Sequence, residues 1–314
     1  MKVIFMGTPD FSVGTLEALV GAGHEVVLAV TQPDKPKGRG KEMQFTPVKS
    51  CAVAHGIPVY QPRRIREPEC VCELEKYHAD IMVVVAFGQI LPKEILDMTP
   101  YGCVNVHASL LPKYRGAAPI QWAIIDGEER TGVTTMQMDE GLDTGDMLLK
   151  REVTIEKDET GGTLHDKLAA AGAALCVETL KGLEEKTIVP EAQGEMTTAY
   201  ARMLDKKLGN IDWQKPAVEI ERLVRGLSPW PSAYTDWKGK VMKIWASKAV
   251  EGHTDAMPGT IVKVERDAFY VQTGEGTLKV LELQIPGKKR MDAGAFLRGY
   301  EVKEGDVLLL SNVF

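Results

Sequence analysis

No stretch of this chain approaches the roughly 18 consecutive apolar residues that a membrane helix needs, so a chain without membrane spans is expected. Only Met1 to Met6 precede the turn at Gly7-Thr8-Pro9, too few for the apolar region of a signal peptide, and the expected location is the cytoplasm. Cysteine is scarce. Five residues, at 51, 70, 72, 103 and 176, are odd in number and scattered, as reduced structural thiols are. Cys70-Val71-Cys72 lacks a second pair or a His at ligand spacing, so no metal is expected. The dinucleotide fingerprint is missing as well. Gly7-Thr8-Pro9-Asp10-Phe11 follows the first apolar strand, but Pro9 and Phe11 crowd the approach that glycines would leave open, which argues against nicotinamide chemistry. Excess positive charge is also lacking, since the net charge is −6. Its distribution is uneven: residues 205–314 hold 17 Lys/Arg against 15 Asp/Glu, and the acidity lies in the preceding part.

What remains is a 314-residue chain with 44% hydrophobic residues, long enough for two domains with proper cores. Up to about residue 188, apolar strands alternate with helical patterns, the signature of an α/β fold with a doubly wound parallel sheet. Strands are expected at 2–6, 25–31, 81–87, 103–107 and 132–138, with an extended edge segment at 147–155 and a long Ala-rich helix at 163–184. Ile81 to Phe87 is apolar throughout, as a strand covered on both faces should be. Residues 189–208 lose periodicity and are read as a linker. From 209 to 314, one helix (217–225) and short strands at 241–249, 259–266, 269–273, 277–285 and 306–310 suggest a smaller β-barrel domain.

The informative segment is Cys103-Val104-Asn105-Val106-His107. Side chains alternate faces along a strand, so Asn105 and His107 project together near its carboxyl end, where open α/β sheets bind ligands. Imidazole exchanges protons near neutrality, and an amide N–H can donate to a developing oxyanion without titrating. A satisfied buried His beside a strand-end Asn is the plainer alternative. The acidic, glycine-containing run Asp139-Glu140-Gly141-Leu142-Asp143-Thr144-Gly145 leaves another strand and could return a carboxylate to His107. It fails the calcium-loop spacing, although a solvated turn fits it equally. An Asn–His–Asp set with no Ser or Cys nucleophile implies direct attack by a substrate amine on an activated acyl carbon. Lys35, Lys37, Arg39 and Lys41 punctuate a Gly- and Pro-containing loop, either a solvated face or a grip on a phosphate backbone.

Asn105-Val-His107-Ala-Ser109-Leu-Leu-Pro112 together with Asp139-Glu-Gly-Leu-Asp143-Thr-Gly resembles the folate-dependent formyltransferases. Phe5-Met-Gly-Thr-Pro9, Phe87-Gly-Gln-Ile-Leu-Pro92, Tyr114-Arg-Gly-Ala-Ala-Pro-Ile-Gln121, Ile211-Asp-Trp213 and Pro229-Trp-Pro231 extend the likeness over essentially the whole chain. It implies a Rossmann-like catalytic domain over 1–188, a linker over 189–208 and an OB-fold-like domain over 209–314 that binds tRNA. The implied donor is 10-formyltetrahydrofolate and the implied acceptor is the α-amino group of initiator methionyl-tRNA. Asn105, His107 and Asp143 would be catalytic, Asn105 and protonated His107 at the oxyanion and Asp143 paired with the imidazolium. Phe87, Gly88, Ser109, Leu110, Leu111, Pro112, Asp139, Glu140 and Gly141 would line the folate. Lys35, Lys37, Arg39, Lys41 and Lys206 would face the tRNA. Two departures stand out: Ser228-Pro-Trp-Pro-Ser232 replaces the usual Asn-Pro-Trp-Pro-Gly, and Lys113 stands where Arg is frequent. A formyltransferase acting on a small amine, such as an amino-sugar nucleotide or a glycinamide ribotide, and a non-catalytic nucleic-acid-binding protein are the two rival readings. A monomer is the default expectation.

Overall fold

The computed structural model describes residues 1–37, 42–252 and 254–311. It divides into two compact units. The first comprises Met1–Pro119, Arg130–Thr154 and His165–Ala201, and the second Ile120–Glu129, Ile155–Leu164 and Arg202–Phe314.

The strands of the first unit are β1 (Lys2–Gly7), β2 (Glu25–Val30), β3 (Lys35–Lys37), β4 (Glu42–Gln44), β5 (Val59–Tyr60), β6 (Ile81–Val85), β7 (Cys103–His107), β8 (Arg130–Gln137) and β9 (Met147–Thr154). All but β3 and β4 form one sheet in the order β5-β2-β1-β6-β7-β8-β9. From β5 to β7 every pairing is parallel, as the alternating pattern predicts. The expected parallel order stops there, because β8 and β9 are antiparallel additions. For β8 and β9 the reason is chain length: residues 138–146 join them, and a parallel crossover takes a dozen residues or more. Every residue of β6 is buried. Ile4, Met6, Leu28, Val30, Met82 and Val84 pack one face of the parallel half into a common core. Each such side chain contributes roughly 1.5–3 kcal/mol by leaving water.

Strands β3 and β4 pair antiparallel, so the expected basic loop starts in ladder structure. The segment expected as a linker is also structured at its start. Glu191 exchanges both backbone bonds with Met147, and Ala201 donates to the Arg115 carbonyl and accepts from Ala117 N–H. Residues 191–201 are therefore a strap bonded to the first unit.

The second unit holds β10 (Ala233–Trp237), β11 (Lys240–Val250), β12 (Ile261–Val264), β13 (Phe269–Gln272), β14 (Thr277–Gln284), β15 (Met291–Asp292) and β16 (Leu308–Leu309). They form an antiparallel curled sheet in the order β12-β13-β14-β11-β10-β16, with β15 beside β14. The curl brings its ends together: Leu308 N–H donates to Gly259 O, Ile261 N–H to Asp306 O and Gly305 N–H to Ile261 O, each at 2.8 Å. Ile220 and Val224 of the helix Ala217–Gly226 fill the core with Phe269, Leu283 and Phe296. Strand β10 has no counterpart among the expected strands. Its marker is Lys238-Gly239, both at positive φ, a tight hairpin turn into β11. Among the described residues no helix is long and apolar enough to cross a membrane.

Candidate active site

Strand β7 lies between β6 and β8, paired to each through Asn105. Val104 and Val106 are buried on one face, while Asn105 is half-buried and His107 is only 6% exposed on the other. The Asn105 amide has no hydrogen-bond partner among the described residues. His107 Nε2 lies 2.9 Å from the carbonyl oxygen of Tyr114. A carbonyl only accepts, so Nε2 carries a hydrogen and Nδ1 is left as the atom that gains or loses a proton. Facing Nδ1 at 3.7 Å is Asp143 Oδ1. That is ion-pair range for a protonated ring, and too long for a hydrogen bond in its own right.

The geometric expectation thus holds for the imidazole and the carboxylate: two segments 36 positions apart meet at the rim of the sheet. What holds them is mostly backbone. Gly116 N–H donates to Asp143 Oδ2 at 2.9 Å, so a single turn, Tyr114–Gly116, grips His107 through one peptide group and Asp143 through another. Gly116 sits at φ 125°, and a Cβ there would lie 2.6 Å from the Ala201 carbonyl oxygen. Only glycine fits without displacing the strap. Asp143 itself adopts φ 56°, a left-handed conformation that Asp tolerates better than most residues.

Gln193 fixes that conformation, and nothing in the sequence marks it. Its side chain is 8% exposed. The amide Nε2 donates to the carbonyl oxygens of Asp143 at 2.8 Å and Gly145 at 2.7 Å, while Oε1 accepts from Arg115 Nε at 2.8 Å. Thr198 Oγ1 accepts from Tyr114 N–H in the same strap. Periodicity could not find these residues, since they lie in an irregular segment and act across long sequence separations. Burial pushes the Cys103 thiol, at the start of the same strand, up to about 12, which leaves it inert.

The residues expected around the folate fall into two groups. Ser109 and Leu111 are fully buried: Ser109 Oγ donates to Lys113 O, and Leu111 packs with Met136 and Met147. Their backbone is held by Thr134 of β8, whose Oγ1 donates to Ser109 O and accepts from Leu111 N–H. Leu110 and Pro112 are half-buried. Phe87 belongs to the core, and its carbonyl accepts from Thr8 and Gln32, while Gly88 is at φ 84°. Asp139, Glu140 and Gly141 are exposed, with Asp139 Oδ1 accepting from Gly141 N–H and Thr144 Oγ1. Ile90 and Leu142, beside these segments, leave large apolar side chains in solvent at 71% and 56% exposure. Lys93, held chiefly by Asp97, also feels the Glu140 carboxylate, so the 88–93 and 139–142 segments are neighbours. Exposed apolar side chains beside a polar loop suit a flat, partly polar ring system.

Lys35 is exposed at the start of β3, and Lys206 is exposed just before the short turn Lys207–Gly209. Arg39 and Lys41 lie outside the described residues, as does the side chain of Lys37.

Comparison with known proteins gives matches over both units. The family profile described as "Formyl transferase" matches residues 1–180, and "Formyl transferase, C-terminal domain" matches 203–301. The methionyl-tRNA formyltransferase of Agathobacter rectalis is 62% identical over 310 residues, covering 99% of this chain and 100% of that protein. The one from Clostridioides difficile is 50% identical, covering 98% and 100%. Among solved structures, WlaRD, a sugar 3N-formyl transferase, superposes with a TM-score of 0.67 at 17% identity, covering 92% of this chain and 99% of that one. HypX from Aquifex aeolicus, solved with tetrahydrofolic acid, gives 0.63 at 17% identity, over 98% of this chain and 50% of that one. Likenesses this remote speak for the fold alone.

Proposed function

The chain belongs to the formyltransferase family, and from that premise we propose that it transfers the formyl group of 10-formyltetrahydrofolate to the α-amino group of initiator methionyl-tRNA, giving N-formylmethionyl-tRNA for translation initiation. Relatives that are similar over the whole chain and bear that activity in their names support the acceptor. The observation that carries the chemistry is the approach of His107 Nδ1 to Asp143 Oδ1 at 3.7 Å, with Asn105 two residues before His107 on the same face of the strand.

The donor supplies an acyl carbon already activated by its nitrogen leaving group. The chain's part is to fix the geometry and handle one proton. Asn105 donates its amide N–H to the formyl oxygen as negative charge develops there. With His107 Nε2–H committed to the Tyr114 carbonyl, Nδ1 takes the proton shed by the attacking amine, and Asp143 balances the resulting charge. The same proton then goes to the departing folate nitrogen, directly or through a water. This divides the labour more sharply than the sequence alone does, where both Asn105 and His107 fall to the oxyanion. The backbone at Ser109–Pro112 and the Phe87–Gly88 and Asp139–Gly141 segments would hold the folate. Lys35, Lys37, Arg39, Lys41 and Lys206 would meet the tRNA backbone. The division of the chain is read as catalysis over 1–188, connection over 189–208 and tRNA binding over 209–314, in a monomeric cytoplasmic enzyme.

A formyl-transfer assay tests this reading. Charged initiator tRNA should be formylated, while an amino-sugar nucleotide and glycinamide ribotide should not. Replacing Lys35, Lys37, Arg39 and Lys41 by Gln should raise the KM for tRNA and flatten its salt dependence by roughly 0.7–0.9 in log–log slope for each phosphate no longer neutralised. Formylation of a small amine in preference to tRNA would overturn the proposed acceptor.

A further inference from the structure

The helices Asp10–Gly21 and Pro47–Ala54 of the first unit bring three side chains of different chemistry to one point. Cys51 Sγ donates to Glu17 Oε1 at 3.2 Å, and His55 Nε2 lies 2.8 Å from Glu17 Oε2. The three ligand-capable atoms all fall within 4.8 Å of one another. Cys51 and His55 are four residues apart, one turn of the same helix and its cap, so they share a face toward Glu17. None of the three belongs to the groups assigned to formyl transfer.

Geometry and chemistry agree on what could sit there. Sulfur, nitrogen and oxygen donors around a tetrahedral zinc stand about 3.3–3.8 Å apart, given metal–ligand distances of about 2.0–2.3 Å. The present separations need only small rotations. Glu17 and His55 can make them, since their side chains are 52% and 32% exposed, whereas Cys51 is buried and fixed. A thiolate–imidazole–carboxylate set favours a borderline cation such as zinc over magnesium or calcium, which take oxygen donors. A redox or nucleophilic role for Cys51 fits poorly, because burial and then the Glu17 carboxylate push its thiol up to about 12.

We infer that Glu17, Cys51 and His55 form a zinc site that clamps the first two helices, with a water in the fourth position. Zinc takes the Cys51 sulfur as thiolate, the His55 Nε2 lone pair and one Glu17 oxygen. The thiol proton goes to solvent, the hydrogen that the neutral His55 ring holds on Nε2 against the Glu17 carboxylate is exchanged through solvent for one on Nδ1, and about one proton is released per ion. One turn of the clamp lies directly after the β4 hairpin and its Thr46 cap, so the metal would stiffen the exit of the basic loop.

The test uses the full chain carrying Cys72→Ser, which removes the exposed thiol, after treatment with a chelator. Titration with Co²⁺ should give a sulfur-to-cobalt charge-transfer band saturating at one ion per chain and bleached by Zn²⁺. Calorimetry in two buffers should show about one proton released, and Zn²⁺ should raise Tm. Cys51→Ser should abolish the band. His55→Asn, a surface change, should weaken binding by on the order of tenfold or more while circular dichroism and formyl transfer stay unchanged. Absence of the band and of the Tm shift, or a band that survives Cys51→Ser, would overturn the assignment.

Discussion

The rim of β7 and the outer face of the second sheet deploy polar groups in opposite ways. At the rim, His107, Asp143 and Gln193 are buried or half-buried, and the bonds of Tyr114–Gly116 and Gln193 fix the first two. On the second sheet, cations lie over aromatic faces: Lys243 and Arg290 on Trp245 at 5.5 and 5.3 Å, Lys263 and Lys279 on Tyr270 at 5.1 and 5.3 Å. Fixed groups that converge act on a transition state. Long side chains spread over a surface act on encounter and affinity, and salt weakens them. On the proposed function, the buried groups at the rim would serve kcat and the exposed cations, three of them also paired with Glu265 or Glu282, would serve KM.

That contrast can be broken at either end. Asn105→Ala should lower the rate of formyl transfer by ~10²–10³ with tRNA binding intact, since one oxyanion donor is lost and no charge changes. Single-turnover kinetics with a filter-binding control decides it, and near-normal turnover would remove Asn105 from the chemistry. Gln193→Ala should come next. It leaves the Asp143 and Gly145 carbonyls without their amide donor, costing about 1–3 kcal/mol in urea unfolding and lowering kcat more than it alters KM. A variant with wild-type kcat would show that the left-handed turn at Asp143 stands without the strap. The smallest effect belongs to the second sheet. Lys243→Gln with Arg290→Gln should leave kcat alone and raise the KM for tRNA severalfold, with a salt slope flattened by about 1–2. A fall in kcat with KM unchanged would reverse the assignment of labour.

Much of the first unit is legible in the sequence because two periodicities are written into it. The unbroken apolar run at 81–85 announces a doubly covered strand, and the alternation at 103–107 puts Asn105 and His107 on one face before any coordinates exist. The antiparallel turn at β8–β9 follows from the brevity of 138–146, a length argument that strand patterns alone do not make. Tyr114 and Gly116 are not legible as site groups, because they contribute backbone atoms, which carry no residue signature. Gln193 is invisible for another reason. An isolated Gln in an irregular segment looks like any solvated polar residue until folding brings it to Asp143, 50 positions away. The Glu17–Cys51–His55 group escapes similarly, since its spacing matches no contiguous motif and only the packing of two helices creates it.

The seam of the second sheet has a consequence of its own. Residues 305–308 give β12 a partner on the side away from β13. A proteolytic cut just before Gly305 would strip that cover and bare the Gly259 and Ile261 backbone groups, turning a sealed surface into a template for strand addition. Residues 305–308 thus occupy the backbone groups through which the edge strand β12 would otherwise be open to pairing.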